Sequence, residues 1–133
     1  MSERKDYCDG RGTPTDPRLF NFGNFTLHSG ERSTFKIDCD ALTDADWNGL
    51  AWMIHVRFPS FSEVEGVPSG GIPLADKLAQ FRSANSQRLL IVDDVLTTGA
   101  SMEEQRAGRD AIGVVVFARG ECPSWVTPIF QMK

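Results

Sequence analysis

Hydrophobic and polar residues alternate along residues 20–40, with a break at Ser29-Gly30. Apolar residues stand on both sides of the break: Phe25, Leu27, Phe35 and Ile37. A period of two residues is typical of a strand with one buried face, and serine followed by glycine favours a turn. The segment therefore predicts a β-hairpin.

The pattern changes to a helical period after Thr43, which with Asp46 fits a capping box. The apolar residues of this stretch are spaced three or four apart: Trp47, Leu50, Ala51 and Ile54. This spacing predicts a helix over residues 44–56.

From residue 61 onward, short apolar segments alternate with glycine-containing turns and helical patterns. Strands are predicted over residues 63–67, 88–92, 112–118 and 126–131, and helices over residues 72–82 and 101–109. Pro128 places the last strand at a sheet edge, because proline cannot donate a ladder hydrogen bond. The order predicts an α/β fold: a mainly parallel sheet flanked by helices and connected by right-handed crossovers, with a small β-hairpin before it.

Composition narrows the class of protein. The chain has 133 residues, of which 41% are hydrophobic, and a formal net charge of −4. This size suits one domain, assigned to residues 19–133, because residues 1–18 are polar and rich in Gly, Pro and Asp and predict a flexible leader. No basic cluster suggests a nucleic-acid partner, and no apolar segment approaches the roughly 18 residues of a membrane helix.

The cysteines and the N-terminus indicate a compartment. The three cysteines contain no CxxC pair, and the first residues carry charges where a signal peptide has an apolar core. We therefore expect a cytoplasmic protein with reduced cysteines.

The strongest chemical pattern is LLIVDDVLTTGAS at residues 89–101, where a buried strand ends in Asp93 and Asp94. Hydroxyls and a glycine follow, and a helix is predicted to begin at Ser101. Backbone N–H groups at a helix N-terminus bind phosphate, and hydroxyls add donors. Carboxylates repel phosphate and bind hydroxyls or a divalent metal. The loop therefore suits a ribose that carries a 5′-phosphate.

A second loop, Ser69-Gly70-Gly71, precedes the helix predicted from Ile72. Glycines allow the backbone to approach an anion closely. In an open parallel sheet both loops lie beyond the carboxyl ends of the strands and face one crevice. Neither GxxxxGK[ST] nor a GxGxxG between a strand and a helix occurs, so ATP hydrolysis and dinucleotide redox chemistry lose their usual support.

The segment VDDVLTTGA at residues 92–100 resembles the 5-phosphoribosyl-1-pyrophosphate (PRPP) motif of the type I phosphoribosyltransferases. Two further segments are similar to the orotate branch of that family: FTLHSG at residues 25–30, followed by Ser33, and GVPSGGIPLA at residues 66–75. The resemblance covers most of the chain from about Phe20 onward. It implies a hairpin, called the hood, that covers the nucleobase substrate, and it implies a pyrophosphate-binding loop.

The resemblance also implies a reaction, in which a base nitrogen displaces pyrophosphate from C1 of magnesium-PRPP. Orotate is the expected base, giving orotidine 5′-phosphate within pyrimidine biosynthesis. Asp93 and Asp94 are the expected catalytic residues; they would hold the ribose hydroxyls and contact Mg²⁺ indirectly, through PRPP. The implied 5′-phosphate-binding residues are Thr97, Thr98, Gly99, Ala100 and Ser101.

The remaining implied roles concern pyrophosphate and the base. Pyrophosphate would be bound by Ser69, Gly70 and Gly71, with Lys36 or His28 as a further positive charge. The base would contact Phe35 and, through its carboxylate, Arg119, since a guanidinium suits a planar carboxylate. Arg119 could also be an ordinary surface residue that closes a strand. The family further allows a homodimer, for which Trp47 and Trp52 offer apolar surface.

The chain departs from the orotate branch between residues 82 and 88. There the family has a further strand and a long mobile loop that closes over the site, whereas here five residues, 83–87, form a turn. Two interpretations stay open: a minimal phosphoribosyltransferase, and a non-catalytic module that binds PRPP or a nucleotide as a sensor. A third is an enzyme of the same fold with another base or a hydrolytic outcome.

Overall fold

The computed structural model describes residues 18–26, 30 and 32–132, and only the backbone of Thr34 and Phe35. The predicted leader, except residue 18, and His28 lie outside the described residues, as does the Phe35 side chain. The chain divides into two compact units at Thr43 and Asp44.

The first unit is the predicted hairpin. Strands β1 (Phe20–Thr26) and β2 (Arg32–Ile37) pair antiparallel, with an irregularity between Phe22 and Phe25. The Asp38 N–H donates to the Leu19 carbonyl at 2.6 Å and closes the open end of the hairpin. A single 3-10 turn, Cys39–Ala41, follows β2.

The second unit is a parallel sheet with helices. Its elements are α1 (Asp44–Arg57), β3 (Glu63–Gly66), α2 (Ile72–Leu78), β4 (Leu89–Leu96), α3 (Ala100–Arg106), β5 (Ile112–Ala118) and β6 (Val126–Gln131). The four strands lie in the order β3-β4-β5-β6, and all neighbours pair parallel. The α/β fold predicted from the sequence is confirmed, with β6 at an edge.

The core is built from the two central strands, as their continuous apolar sequences require. Fully buried residues come from both β4 and β5: Leu90, Ile91, Val92, Val114, Val115 and Val116. On α1, Trp47 is buried, whereas Trp52 is 55% exposed and its ring lies 6.0 Å from that of Phe81.

The helices α2 and α3 lie on opposite faces of the sheet. A Cβ at Gly66 would come within 3.0 Å of the first Cα of α2, whereas a Cβ at Gly113 would come within 2.8 Å of Cε of Met102 in α3. Gly66 is in register with Val92 and Gly113 with Ile91. Because consecutive strand residues point to opposite faces, the two glycines mark different faces.

This arrangement corrects one expectation. Both helical connections advance by one strand in the same direction, from β3 to β4 and from β4 to β5. Connections that advance in the same direction over opposite faces have opposite hands, so the expectation that every crossover is right-handed is wrong. The apolar face of α2 packs on α1 as well as on the sheet, with Leu74 and Leu78 fully buried. Burying a leucine contributes roughly 1.5–3 kcal/mol, and this packing keeps α2 on its face.

Candidate ligand-binding site

Strand β4 carries both aspartates of the PRPP-like segment. The sequence predicts a strand ending at Val92, but β4 continues to Leu96, which is in register with Ala118. The strand is longer because β5 supplies pairing partners that a local pattern does not reveal. Asp93 is therefore part of the sheet, in register with Val115, and is only 6% exposed.

Burial changes the ionisation of Asp93. Burial, followed by a hydrogen bond with the Asp94 side chain and by the Asp94 charge, raises the pKa of this carboxyl from 3.8 to about 8. The Asp94 N–H donates to Asp93 Oδ1 at 2.8 Å and opposes this rise. The raised pKa favours the protonated form of Asp93, which lowers the negative charge that a phosphate-bearing ligand would meet.

The glycine loop after β3 lies directly against Asp94. A Cβ at Gly70 would stand 2.5 Å from Cγ and 2.6 Å from Oδ1 of Asp94. Only glycine leaves room for the carboxylate there. The close approach brings Ser69, Gly70 and Gly71 together with the end of β4, as the sequence predicts for two loops at one sheet edge.

Backbone hydrogen bonds of Gly71 and Val67 hold this loop against β4. The Gly71 N–H donates to the Val67 carbonyl at 2.8 Å, and the Val67 N–H donates to the Val92 carbonyl at 2.9 Å. A Cβ at Gly71 would stand 2.8 Å from the Val67 nitrogen and 3.1 Å from the Asp93 Cα. The loop is therefore wedged between two strands before α2 begins.

The other loop, which we call the phosphate-type loop, runs from Thr97 to the start of α3. Gly99 is the N-cap of α3, with a φ of 89°, a left-handed conformation that favours glycine. The Ala100 N–H donates to Thr98 Oγ1 at 3.3 Å. The helix begins at Ala100, one residue before the predicted start, so Ser101 lies in its first turn and the chain turns into a helix as phosphate loops do.

The connection between β5 and β6 supports the phosphate-type loop. The Arg119 N–H donates to the Leu96 carbonyl at 2.8 Å, which places Arg119 beside the end of β4. A Cβ at Gly120 would collide with the Thr97 carbonyl oxygen, and one at Gly99 would stand 3.4 Å from Cγ of Pro123. Sequence reasoning singled out Arg119 but missed Gly120 and Pro123. A glycine two residues after a predicted strand and a proline five residues after it were the available signal.

The remaining predicted residue that the structure describes is Lys36. It belongs to the first unit, where its Nζ lies 5.5 Å from the centroid of the Phe25 ring, a cation–π distance. Its predicted role toward pyrophosphate stays a prediction, as do those of His28 and Phe35.

The donor set at the end of β4 suits Mg²⁺ only when a ligand brings the ion. Within residues 18–26, 30 and 32–132, no group of three or more His, Cys, Asp or Glu side chains could hold a metal. Two carboxyls beside a glycine loop agree with the preference of Mg²⁺ for one or two carboxylates, substrate phosphates and water. In the part of the chain that the structure describes, no helix has the length and apolarity to cross a membrane.

Comparison of the sequence with family models and with curated proteins finds no match. Solved structures do match. Orotate phosphoribosyltransferase from Aeropyrum pernix is 22% identical, with a TM-score of 0.65 over 86% of this chain and 88% of that one. The enzyme of the same name from Mycobacterium tuberculosis, in complex with Fe(III) dicitrate, is 17% identical, with a TM-score of 0.56 over 86% and 90% of the two chains.

UMP synthase from Leishmania donovani is 21% identical, with a TM-score of 0.67 over 86% of this chain and 34% of that one. The parallel sheet with its two loops therefore has the fold of the type I phosphoribosyltransferases. Within that fold, this chain is similar to the orotate phosphoribosyltransferases.

Proposed function

We propose that this chain is a phosphoribosyltransferase that uses magnesium-PRPP and a nucleobase, and that the base is orotate. The observation that carries the proposal is the contact of Asp94 with Gly70. It joins a carboxylate suited to ribose hydroxyls with a glycine loop suited to an anion, beside a phosphate-type loop. PRPP is a ribose with a phosphate on one side and a pyrophosphate on the other, and it matches all three.

Each part of PRPP has a proposed partner. The 5′-phosphate would lie in the loop from Thr97 to Ser101, at the start of α3. The ribose hydroxyls would meet Asp93 and Asp94, and pyrophosphate the loop from Ser69 to Gly71. Mg²⁺ would enter with PRPP, near Asp94, and when bound it supplies positive charge that stabilises the leaving pyrophosphate.

The proposed reaction is a displacement at C1 of the ribose. A base nitrogen forms the new bond to C1 while the bond from C1 to the pyrophosphate oxygen breaks, and its electron pair leaves with pyrophosphate. The products are orotidine 5′-phosphate, pyrophosphate and the proton that the base nitrogen loses. Positive charge develops on the ribose in such a step, so an ionised Asp94 beside the sugar would stabilise it without acting as a nucleophile.

The base has a proposed partner in Arg119. Its backbone is held to the end of β4 through the Leu96 carbonyl, so its side chain starts from the edge that carries the aspartates. A guanidinium can bind the orotate carboxylate through two hydrogen bonds. Phe35 is proposed as an apolar contact of the base, and Lys36 and His28 as further positive charge for pyrophosphate.

One observation favours a second candidate, a non-catalytic module that binds PRPP or a nucleotide. After α2 and a 3-10 turn over Ala79–Phe81, residues 82–88 lead directly into β4. Two hydrogen bonds hold this segment close to the preceding one: Ser83 N–H donates to the Phe61 carbonyl, and Ser86 Oγ to the Ser60 carbonyl. A short, anchored connection cannot close over a ligand, and binding does not require such closure whereas catalysis benefits from excluding water.

The test is an assay of the purified chain with Mg²⁺, PRPP and orotate. We expect release of pyrophosphate and formation of orotidine 5′-phosphate, measured by chromatography, together with PRPP binding by calorimetry. PRPP binding without turnover of orotate or of other bases would replace the enzyme with the binding module. No PRPP binding would exclude both.

Two variants test PRPP binding and base binding separately. Asp94→Asn should weaken PRPP binding about tenfold or more, because a hydrogen bond to a charged group contributes roughly 1.5–3 kcal/mol. Asp110→Asn, at an exposed carboxylate outside the site, is the matched control and should bind PRPP like the wild type. Arg119→Ala should raise KM for orotate more than the Kd for PRPP, and an equal effect on both would remove the base-binding role.

A further inference from the structure

Glu65, Gln105 and Arg109 form a polar cluster away from the two loops. The Arg109 guanidinium binds both carboxylate oxygens of Glu65: Nη1 donates to Oε2 and Nη2 to Oε1, each at 2.8 Å. Gln105 Nε2 donates to the same Oε1 at 2.9 Å. These bonds join residues 40 and 44 positions apart in the sequence. We call this group the Glu65 cluster.

Arg109 also holds the end of α3. Its Nε donates to the Arg106 carbonyl at 2.9 Å, and Nη2 donates to the Gln105 carbonyl at 2.7 Å. Carbonyl groups at a helix C-terminus have no partner inside the helix and attract positive charge. One guanidinium therefore caps α3 and binds it to β3 at the same time.

The electrostatics of the cluster agree with its geometry. Hydrogen bonds from Arg109 and then from Gln105 lower the pKa of Glu65 to about 2. Glu65 also raises the pKa of Arg109, and the charge of Glu63 adds to this effect. Both partners are charged throughout the physiological pH range, so the contact is an ion pair with two parallel hydrogen bonds.

The cluster joins the two elements that carry the ligand loops. Strand β3 continues into the glycine loop, and helix α3 starts from the phosphate-type loop. Next to Glu65, Gly66 faces the opposite side of the sheet and contacts the start of α2. Two adjacent residues of β3 thus contact the two helices: Glu65 contacts α3 on one face, and Gly66 lies against α2 on the other.

We propose that Glu65, Gln105 and Arg109 are positioning residues that fix the distance between the glycine loop and the phosphate-type loop. The inference rests on the proposed function, because it concerns a ligand that occupies both loops at once. Such a ligand gains affinity only while the two subsites stay at the distance its own bonds set. A ligand that occupies one loop does not depend on that distance.

The experiment compares three ligands in the presence of Mg²⁺: PRPP, ribose 5-phosphate and pyrophosphate. In Arg109→Met, which keeps most of the side-chain volume, we expect the Kd for PRPP to rise about tenfold, and those of the two smaller ligands by less than about twofold. Arg109→Lys keeps one charged contact and should recover most of the PRPP affinity. Glu65→Gln should act like Arg109→Met and replaces it if that variant does not fold.

Asp44→Asn is the matched control. It breaks a salt bridge of 2.6 Å to Lys77 that joins α1 to α2 and does not involve α3. All three affinities should stay at the wild-type values. Equal losses for all three ligands in Arg109→Met, or equal effects of the Met and Lys variants, would overturn the inference, because a general loss of structure predicts both.

A measurement without ligand separates this inference from the proposed function. Arg109→Met should speed amide hydrogen exchange in α3 and in residues 97–101, whereas Asp44→Asn should not. Unchanged exchange there would overturn the positioning role. If the wild type binds no PRPP, the proposed function fails and the exchange measurement alone decides the positioning role.

Discussion

The two ligand loops lie at the same sheet edge but are held in different ways. The glycine loop is held by residues close to it. The Gly71 N–H donates to the Val67 carbonyl, and the Val67 N–H, directly after β3, donates to the Val92 carbonyl in β4. The phosphate-type loop depends on a segment that follows it by about twenty residues, where Gly120 contacts Thr97 and Pro123 lies near Gly99.

The two kinds of support predict different responses to substitution. A loop wedged between paired strands shares the stability of the sheet, so disturbing it should unfold the unit. A loop supported from outside can lose its shape while the sheet stays folded. Substitutions in each loop test this contrast.

Gly71→Ala should have the largest effect, on stability. Its Cβ would meet the backbone of Val67 and Asp93, which cannot move without breaking the pairing of β3 and β4. We expect the free energy of unfolding to fall by about 3 kcal/mol, measured with urea.

The control is Gly49→Ala, because a Cβ at this helical position meets nothing within 4 Å. Alanine there should stabilise the chain by about 0.5–1 kcal/mol. A Gly71→Ala variant as stable as this control would show that the glycine loop is not wedged between the two strands.

Gly120→Ala should have a smaller effect on stability and a selective effect on binding. Its Cβ would collide with the Thr97 carbonyl oxygen and displace the phosphate-type loop. The free energy of unfolding should fall by about 1 kcal/mol, which is the low end of the cost of overpacking. Calorimetry should show a clear loss of ribose 5-phosphate affinity with little change for pyrophosphate. Equal losses for the two ligands would contradict the separate support of the loops.

Asp93→Asn should have the smallest effect of the three below about pH 4, where both side chains are uncharged, and it should be visible as a change in pH dependence. The pKa of Asp93 is about 8 in the folded chain, against an ordinary value of 3.8, so the folded state keeps a proton that the unfolded state loses between these values. Stability from this group is complete below about pH 4 and is lost as the pH rises to 8, with a slope of at most about 1.4 kcal/mol per pH unit.

Urea unfolding at pH 5, 6, 7 and 8 checks this, with Asp110→Asn as the control. Asparagine at position 93 should flatten the decline, and the control should not. Parallel profiles for the wild type and Asp93→Asn would contradict the raised pKa.

Local patterns predicted several elements well. The hairpin, the helix from Asp44, the strand Ile112–Ala118 and the edge strand with Pro128 all have the predicted place, because each depends on the periodicity or turn residues of its own segment. The end of β4 was missed, since Asp93 to Leu96 are polar or follow polar residues and become strand only through β5. The Glu65 cluster was missed as well, because its members are far apart in the sequence.

The chemistry of the site could be predicted from the amino-acid sequence: carboxyls at a strand end, hydroxyls and a glycine before one helix, and a glycine loop before another. These depend on residue type and short spacing. Three features depend on the folded chain: the face that α2 covers, the burial that raises the pKa of Asp93, and the binding of α3 to β3 through Arg109. The reason is physical, because desolvation, close backbone approach and ion pairing depend on neighbours that only the folded chain brings together.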